Sequence, residues 1–230
     1  MLPFEHLREL LVPLPHELPR PPRTLAPTLL PGPRGEAPRF RAAGRATRDG
    51  ACLVLLYAGP RGDGHVLLTE RPTGDLRHSG EISFPGGAVE PDDVDSTAAA
   101  LREAREEVGL DAEGAGVEIL GLLEPVEIPV SGFRLVPVLA LASRRPAVVP
   151  DPREVAAILE VPLAHFLSAA PIEIVETEIG GRRIRYGAYR IGSHRVWGAT
   201  ARVLGQLGTL LSLRMAERAD AGTDGETPAA

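Results

Sequence analysis

The sequence predicts an α/β protein in which helices cover both faces of a mixed β-sheet. Apolar runs of strand length stand on either side of one amphipathic helix, which ends at Gly109. A second and longer helical pattern closes the chain between residues 197 and 218. Because each helix has one apolar side to bury, the helices and strands are expected to pack as layers.

The composition indicates a single ordinary globular domain. The chain has 230 residues, of which 43% are hydrophobic and 24% are charged. A net charge of −6 argues against a nucleic-acid surface, which normally carries a basic patch. The one cysteine, Cys52, excludes an internal disulfide and lies among apolar residues, so we expect a buried strand thiol.

The chain shows no targeting signal, and its composition leaves the oligomeric state open. No apolar run approaches the ~20 residues that span a membrane. The first residues lack the charged start and unbroken apolar stretch of a signal peptide. A cytoplasmic protein with a small-molecule partner, and no nucleic-acid or membrane partner, is therefore the expectation.

Three segments are predicted along the chain. Residues 1–45 form a short helix, over residues 1–12, and a proline-rich lead-in without internal hydrogen-bonded structure. Residues 46–218 form the main domain, and residues 219–230 form a disordered tail. The lead-in is expected to lie over the domain.

Within the main domain, strands alternate with turn residues. A strand, turn and strand are predicted over 51–58, 59–64 and 65–70, followed by a short extended piece at 81–85. Further strands are predicted at 117–124 and 133–142, helical turns broken at Pro162 over 155–166, and a hairpin over 172–190 closed by Gly180 and Gly181.

Residues 86–110 carry the most specific chemical signal. Glu103, Glu106 and Glu107 stand at helical positions i, i+3 and i+4, which places their Cβ atoms within roughly 5–6 Å of one another. Like charges at this spacing destabilise an isolated helix, whereas a divalent cation would offset the repulsion, and Mg²⁺ prefers oxygen ligands. The alternative is a solvated acidic surface, tempered by Arg102 and Arg105.

The residues around these glutamates fix the ends of the helix. Thr97, Leu101, Ala104 and Val108 are predicted to form its core-facing stripe. Asp95 or Ser96 is expected to cap its first turn, and Gly109 to take the left-handed position after its last turn. Gly86 and Gly87 end the preceding strand and allow a close approach of the backbone to a ligand.

This stretch resembles the Nudix box, in which Gly, five residues, Glu and seven residues precede Arg-Glu-apolar-x-Glu-Glu-x-Gly-apolar. The second half matches at Arg102, Glu103, Ala104, Glu106, Glu107, Gly109 and Leu110. The first half differs, because Asp93 replaces the first glutamate and the turn is one residue longer. We therefore expect that Asp93 is not a metal ligand.

The resemblance implies the α/β/α sandwich of Nudix domains and metal-dependent hydrolysis with Mg²⁺ or Mn²⁺. Glu103 and Glu107 are then the leading metal ligands, and Glu106 is a third ligand or the base. The Gly87 carbonyl completes the shell, and Arg102 orients the carboxylates. The general base stays open among Glu106, Glu124, Glu127, Glu154, Glu176 and Glu178.

The segment before the box, LLTERPTGDLRHSGEISFPGG at 67–87, is similar to that of the coenzyme A pyrophosphatase branch. This likeness implies hydrolysis of coenzyme A or an acyl-CoA, with Arg71, Arg77 and His78 as candidate phosphate-binding residues. Two other interpretations are a Nudix hydrolase for another substrate, such as ADP-ribose or NADH, and a Nudix-fold binding module without turnover. A calcium loop at EPDDVD lacks the required spacing and glycine.

Overall fold

The structure is a computed structural model, and it describes residues 1–31, 48–72, 80–128, 132–179 and 181–223. The α-helices of these ranges are α1 (Leu7–Leu11), α2 (Ser96–Val108), α3 (Ala112–Ala115) and α4 (Gly198–Thr223). Short 3-10 turns lie at Phe4–His6, Arg23–Leu25 and Leu163–Phe166.

The strands fall into two groups along the chain. The first seven are β1 (Thr28–Leu29), β2 (Arg48–Ala58), β3 (Gly64–Glu70), β4 (Ile82–Ser83), β5 (Gly86–Ala88), β6 (Val117–Leu122) and β7 (Val126–Ile128). The others are β8 (Phe133–Ala142), β9 (Ala157–Pro162), β10 (Glu173–Ile179), β11 (Arg182–Ile191) and β12 (His194–Val196).

The main sheet is mixed, as the sequence predicted. Its order is β4-β3-β2-β8-β6, with β5 added to β2, β7 to β8 and β9 to β3. Strands β2 and β8 run parallel, whereas the other pairs are antiparallel. Each strand of this parallel pair is buried on both sides, which explains why both read as nearly continuous apolar runs.

Helices cover both faces of the main sheet and confirm the layered α/β/α architecture. Alternate residues of β2, such as Leu53 and Leu55, join the apolar cluster under α2. Their neighbours Val54 and Leu56 join a second cluster with α1 and α4 on the opposite face. Alternation of side chains along a strand is what lets one strand supply both cores. Cys52 belongs to the second cluster and is buried, as expected.

A smaller sheet lies beside the main one. Strands β10 and β11 form the predicted hairpin, in which Gly181 takes a φ of 73°. Strand β12 pairs with the end of β11, and β1 from the start of the chain pairs with its middle, where Thr28 faces Arg185. The smaller sheet therefore joins distant parts of the sequence.

The start of the chain packs closely against the rest. The predicted helix is present as α1, which buries Leu7, Leu10 and Leu11. The expectation that the lead-in has no internal hydrogen bonds is wrong, because Leu25 N donates to Pro22 O in the 3-10 turn at Arg23–Leu25. Residues 32–45 of the lead-in lie outside the described residues.

The prediction for residues 155–166 is also wrong. Instead of helical turns over 155–166, the chain forms β9, which pairs antiparallel with β3 so that Leu159 faces Leu68. Short apolar runs are compatible with a helix or a strand, and here the free edge of β3 decides for a strand. Only Leu163–Phe166 keeps a helical form, as a 3-10 turn.

The closing helix is longer than predicted. It reaches Thr223, so residues 219–223 of the predicted tail are helical, while 224–230 lie outside the described residues. Among the described helices, none is long and apolar enough to cross a membrane. The division of the chain at residues 45 and 218 stays a prediction.

Candidate active site

Helix α2 is held at both ends as the sequence predicted. The Asp95 side chain accepts a hydrogen bond of 2.8 Å from Ala98 N, which satisfies one free N–H of the first turn. Gly109 ends the helix in the left-handed conformation with a φ of 63°. The helix is therefore a fixed support for the side chains that it carries.

The buried side of α2 is rotated from the predicted stripe. Ala104 and Val108 are buried as expected, but Thr97 and Leu101 are only partly buried, and Glu107 is buried with 6% of its surface exposed. The three glutamates consequently meet different surroundings: the Glu103 side chain is 14% exposed and that of Glu106 is 57% exposed. Side chains at i, i+3 and i+4 point in different directions around the helix axis. Glu107 can therefore face the core while Glu106 faces solvent.

Glu107 points toward the Gly-Gly strand. Its Oε2 accepts a hydrogen bond of 3.3 Å from Gly86 N. Burial raises the pKa of Glu107 to about 7, against the opposing effects of Arg71 and of the Gly86 N–H. The nearby charges of Glu103 and Glu154 raise this pKa further. Burial thus disfavours the charged form of Glu107, although the positive charge of Arg71 favours it.

Glu103 lies directly over Gly87. A Cβ on Gly87 would overlap the Glu103 carboxylate, so a larger residue at this position would displace that carboxylate. Burial raises the pKa of Glu103, and the adjoining Arg102 guanidinium opposes the shift. The Gly87 carbonyl oxygen lies on the side of β2, where it would be 2.9 Å from a Cβ on Gly50.

Arg102 connects the acidic groups of the site. Its Nη1 donates to Glu103 at 3.0 Å and to Glu106 at 3.2 Å, and its Nη2 donates to the Ala88 carbonyl at 3.0 Å. Its Nε and Nη2 also donate to the two oxygens of Asp93, at 3.1 and 2.9 Å. The guanidinium fork suits this bidentate contact. The prediction that Arg102 orients the carboxylates agrees with these contacts.

The sequence did not reveal what Asp93 does. Besides the contact with Arg102, its Oδ2 accepts a hydrogen bond of 2.8 Å from Glu90 N. The Arg102 hydrogen bonds hold the pKa of Asp93 below its ordinary value. The longer turn therefore still delivers a carboxylate, but it delivers it to Arg102. The only sequence signal for this pairing was an acidic residue nine positions before an arginine, with a turn between them.

Of the three predicted phosphate-binding residues, Arg71 can be placed. It follows β3, its N donates to Glu81 O at 3.0 Å, and its charge lowers the pKa of Glu107. Arg71 is thus on the Glu107 side of α2. Arg77 and His78 lie outside the described residues.

The five later acids that were candidate bases lie in different places. Glu154 acts on both Glu103 and Glu107, because its charge raises the pKa of each. Glu127 lies 3.9 Å from Arg134, and Glu176 forms an ion pair with Arg185. The remaining two are Glu124, on the loop before β7, and Glu178, on β10.

The donor set fits a hard divalent cation. Glu103 and Glu107 supply carboxylate oxygens against the Gly-Gly strand, and a cation beside them would favour the charged form of both. Among the described residues, no three acidic, histidine or cysteine side chains already form a ligand cluster. Phosphate and water oxygens would complete the shell, as is usual for Mg²⁺.

These contacts give different expectations for two aspartates of the turn. Asp95→Ala removes the helix cap and should lower the free energy of unfolding by about 0.5–2 kcal/mol, measured by urea denaturation.

Asp93→Asn should leave Mn²⁺ affinity nearly unchanged in a titration, because Asp93 contacts Arg102 and no candidate ligand. A large loss of Mn²⁺ affinity in Asp93→Asn would show that the turn does supply a ligand.

The site thus combines a mixed sheet covered on both faces with a glutamate-bearing helix, α2, that lies against the Gly-Gly strand β5. The NUDIX domain family model matches residues 47–175, which is more than half of the chain. The chain therefore belongs to the Nudix family.

The chain is similar to several curated Nudix proteins. It is 38% identical over 160 residues to Nudix hydrolase 15, mitochondrial, of Arabidopsis thaliana, across 67% of this chain and 55% of that protein. It is 35% identical to Nudix hydrolase 22, chloroplastic, of the same plant, across 73% and 56%. The chain thus spans about half the length of these two relatives. It is also 34% identical to the uncharacterized Nudix hydrolase NudL of Photorhabdus laumondii, across 70% and 83%.

Proposed function

We propose that the protein is a metal-dependent pyrophosphatase that hydrolyses coenzyme A, or an acyl-CoA, to 3′,5′-ADP and 4′-phosphopantetheine or its acyl form. The proposal of hydrolysis rests on one observation: the carboxylates of Glu103 and Glu107 lie against the Gly86–Gly87 backbone, near Arg71. The substrate is inferred from the segment at 67–87 and its similarity to the coenzyme A branch.

The bound cation, Mg²⁺ or Mn²⁺, would lower the pKa of the attacking water and neutralise charge on the leaving oxygen. Glu103 and Glu107 would hold this ion, with Glu106 and the Gly87 carbonyl as further candidate ligands. Arg102 keeps the carboxylates in place through its contacts with Glu103 and Glu106.

Arg71 binds a pyrophosphate oxygen, since a guanidinium matches phosphate geometry and this one lies on the Glu107 side of the site. Water attacks one phosphorus, the bond from that phosphorus to the bridging oxygen breaks, and the proton of the water passes to a base. Glu154 is the base that we favour, because it is exposed and close enough to influence both Glu103 and Glu107. Arg77 and His78 stay candidate ligands of the other phosphates.

Purified protein incubated with CoA, with ADP-ribose and with NADH, each with Mg²⁺ or Mn²⁺, tests the proposal. We expect faster release of 3′,5′-ADP from CoA than of AMP from ADP-ribose, and no release after chelation of the metal. Faster turnover of ADP-ribose or NADH would favour another Nudix substrate. Ligand binding without turnover of any of the three would favour a binding module.

A cytoplasmic location stays a prediction.

A further inference from the structure

Two aromatic rings are stacked where the smaller sheet meets α4. Tyr186 lies on β11, and Trp197 directly precedes α4. Their ring centroids are 4.6 Å apart, and the ring planes are inclined by 29°. Tyr186 is buried with 8% exposure, whereas Trp197 is partly exposed. Trp197 is also the only tryptophan of the chain. The pair thus has a buried ring stacked on a ring that is partly exposed.

The backbone next to Trp197 turns at Gly198, which takes a φ of 65° as the chain enters α4. A Cβ on Gly198 would meet no atom within 4 Å outside the adjoining residues and its own helix. At Gly198 the turn is therefore not packed against the other described residues.

The aromatic pair lies on the Arg71 side of the candidate active site. The charge of Glu81 acts on the Tyr186 hydroxyl, and the Glu81 carbonyl accepts the hydrogen bond from Arg71 N. Strand β12 packs beside β4, and His194 Nε2 on β12 lies 3.3 Å from Glu70 Oε2 at the end of β3. Arg71 directly after β3, Glu81 directly before β4 and Trp197 directly after β12 therefore lie at neighbouring strand ends.

We propose that Trp197 is the surface on which the purine base of the substrate stacks, with Tyr186 as its buried support. This rests on the proposed function, in which the pyrophosphate lies between Glu107 and Arg71. A nucleoside diphosphate bound there extends past Arg71, and its base then reaches the aromatic pair. Every base has a π-face that stacks on an aromatic side chain.

The polar surroundings favour a base over an acyl chain. Arg195 and Glu173 form an ion pair near Tyr186, and His194 lies on the same strand as Arg195. Charged and hydrogen-bonding side chains suit the ring nitrogens of a heterocycle, whereas an acyl chain prefers an apolar lining. A residue that only filled the core would not need this partly exposed position.

The single tryptophan makes the test direct. Intrinsic fluorescence of the wild-type protein is titrated with AMP, with 3′,5′-ADP, with 4′-phosphopantetheine, and with ribose 5-phosphate as a matched ligand without a base. We expect AMP and 3′,5′-ADP to quench the emission in a saturable way, and ribose 5-phosphate to leave it nearly unchanged. Equal quenching by ribose 5-phosphate, quenching by 4′-phosphopantetheine alone, or no binding of AMP would each overturn the proposal.

Calorimetric titration of variants gives a second readout. Trp197→Leu should weaken AMP binding by about 5- to 150-fold, and Trp197→Phe should recover most of the loss because it keeps an aromatic face. The affinity for ribose 5-phosphate serves as the control for folding. If Trp197→Leu weakens ribose 5-phosphate as much as AMP, the residue is structural and the proposal fails.

Neither measurement requires turnover. If CoA is not hydrolysed while AMP still quenches Trp197, the proposed substrate is wrong and the base-stacking proposal stands. If CoA is hydrolysed and AMP leaves the Trp197 emission unchanged, the proposed substrate stands and the base-stacking proposal is wrong.

Discussion

Glu107→Gln is expected to lower turnover by at least roughly 100-fold, the lower end of what a positioned catalytic group contributes. The substitution keeps the size of the side chain and removes the charge that would bind the cation. Glu107 is buried and receives a hydrogen bond from Gly86 N, so its position depends little on mobile surface groups. Steady-state hydrolysis of the preferred substrate at saturating Mg²⁺ measures the effect.

Two other glutamates provide the comparison. Glu113→Gln on α3 changes an exposed acid away from the site and should leave turnover unchanged. Glu106→Gln should have a smaller effect than Glu107→Gln, because the Glu106 side chain is 57% exposed and contacts Arg102. Thermal denaturation of all three variants checks that each one is folded. Near-normal turnover of Glu107→Gln at saturating Mg²⁺ would remove Glu107 from the metal site.

Glu154→Gln is expected to lower kcat by roughly 10²- to 10⁴-fold, the range of general acid–base catalysis. The amide cannot accept the proton of the attacking water. Because the base takes no part in holding the cation, the Mn²⁺ affinity should change little. Hydrolysis rates and a Mn²⁺ titration on the same preparation separate the two roles.

The matched control for Glu154 is Glu176→Gln. Glu176 was an equal candidate in the sequence, but it is paired with Arg185 on the smaller sheet, so its loss should not affect kcat. A retained rate in Glu154→Gln would return the role of base to Glu106 or to another acid. A parallel loss of Mn²⁺ affinity would make Glu154 a ligand.

The main features of the fold were predictable because their signals are local. The cap at Asp95, the left-handed Gly109 and the spacing of the glutamates are set within single turns of the chain, and all three are present in α2. The hairpin of β10 and β11 likewise follows from the glycines between its strands. Segment β9 could not be assigned in this way, because its partner β3 lies almost 90 residues earlier in the sequence.

The sequence predicts the spacing of the candidate glutamates on α2, but it does not predict their surroundings. Periodicity placed Glu103, Glu106 and Glu107 on one side of the helix, yet the burial of Glu107 depends on how α2 is rotated against β5. The pairing of Asp93 with Arg102 depends on the path of the turn. The influence of Glu154 depends on the loop after β8. These contacts arise from tertiary packing between separate segments, which a local sequence pattern does not reveal.

The packing of the chain's first and last helices limits what can be excised as an autonomous folding unit. Helix α4 and residues 1–25 supply much of the apolar cluster on one face of the main sheet. Gln206 on α4 also links the helix to two other segments. Its Nε2 donates to Pro19 O, and its Oε1 accepts a hydrogen bond from Glu124 N. A fragment of residues 47–175 would expose Val54, Leu56 and Leu139 to water. Such a fragment would aggregate, although it contains every candidate metal ligand.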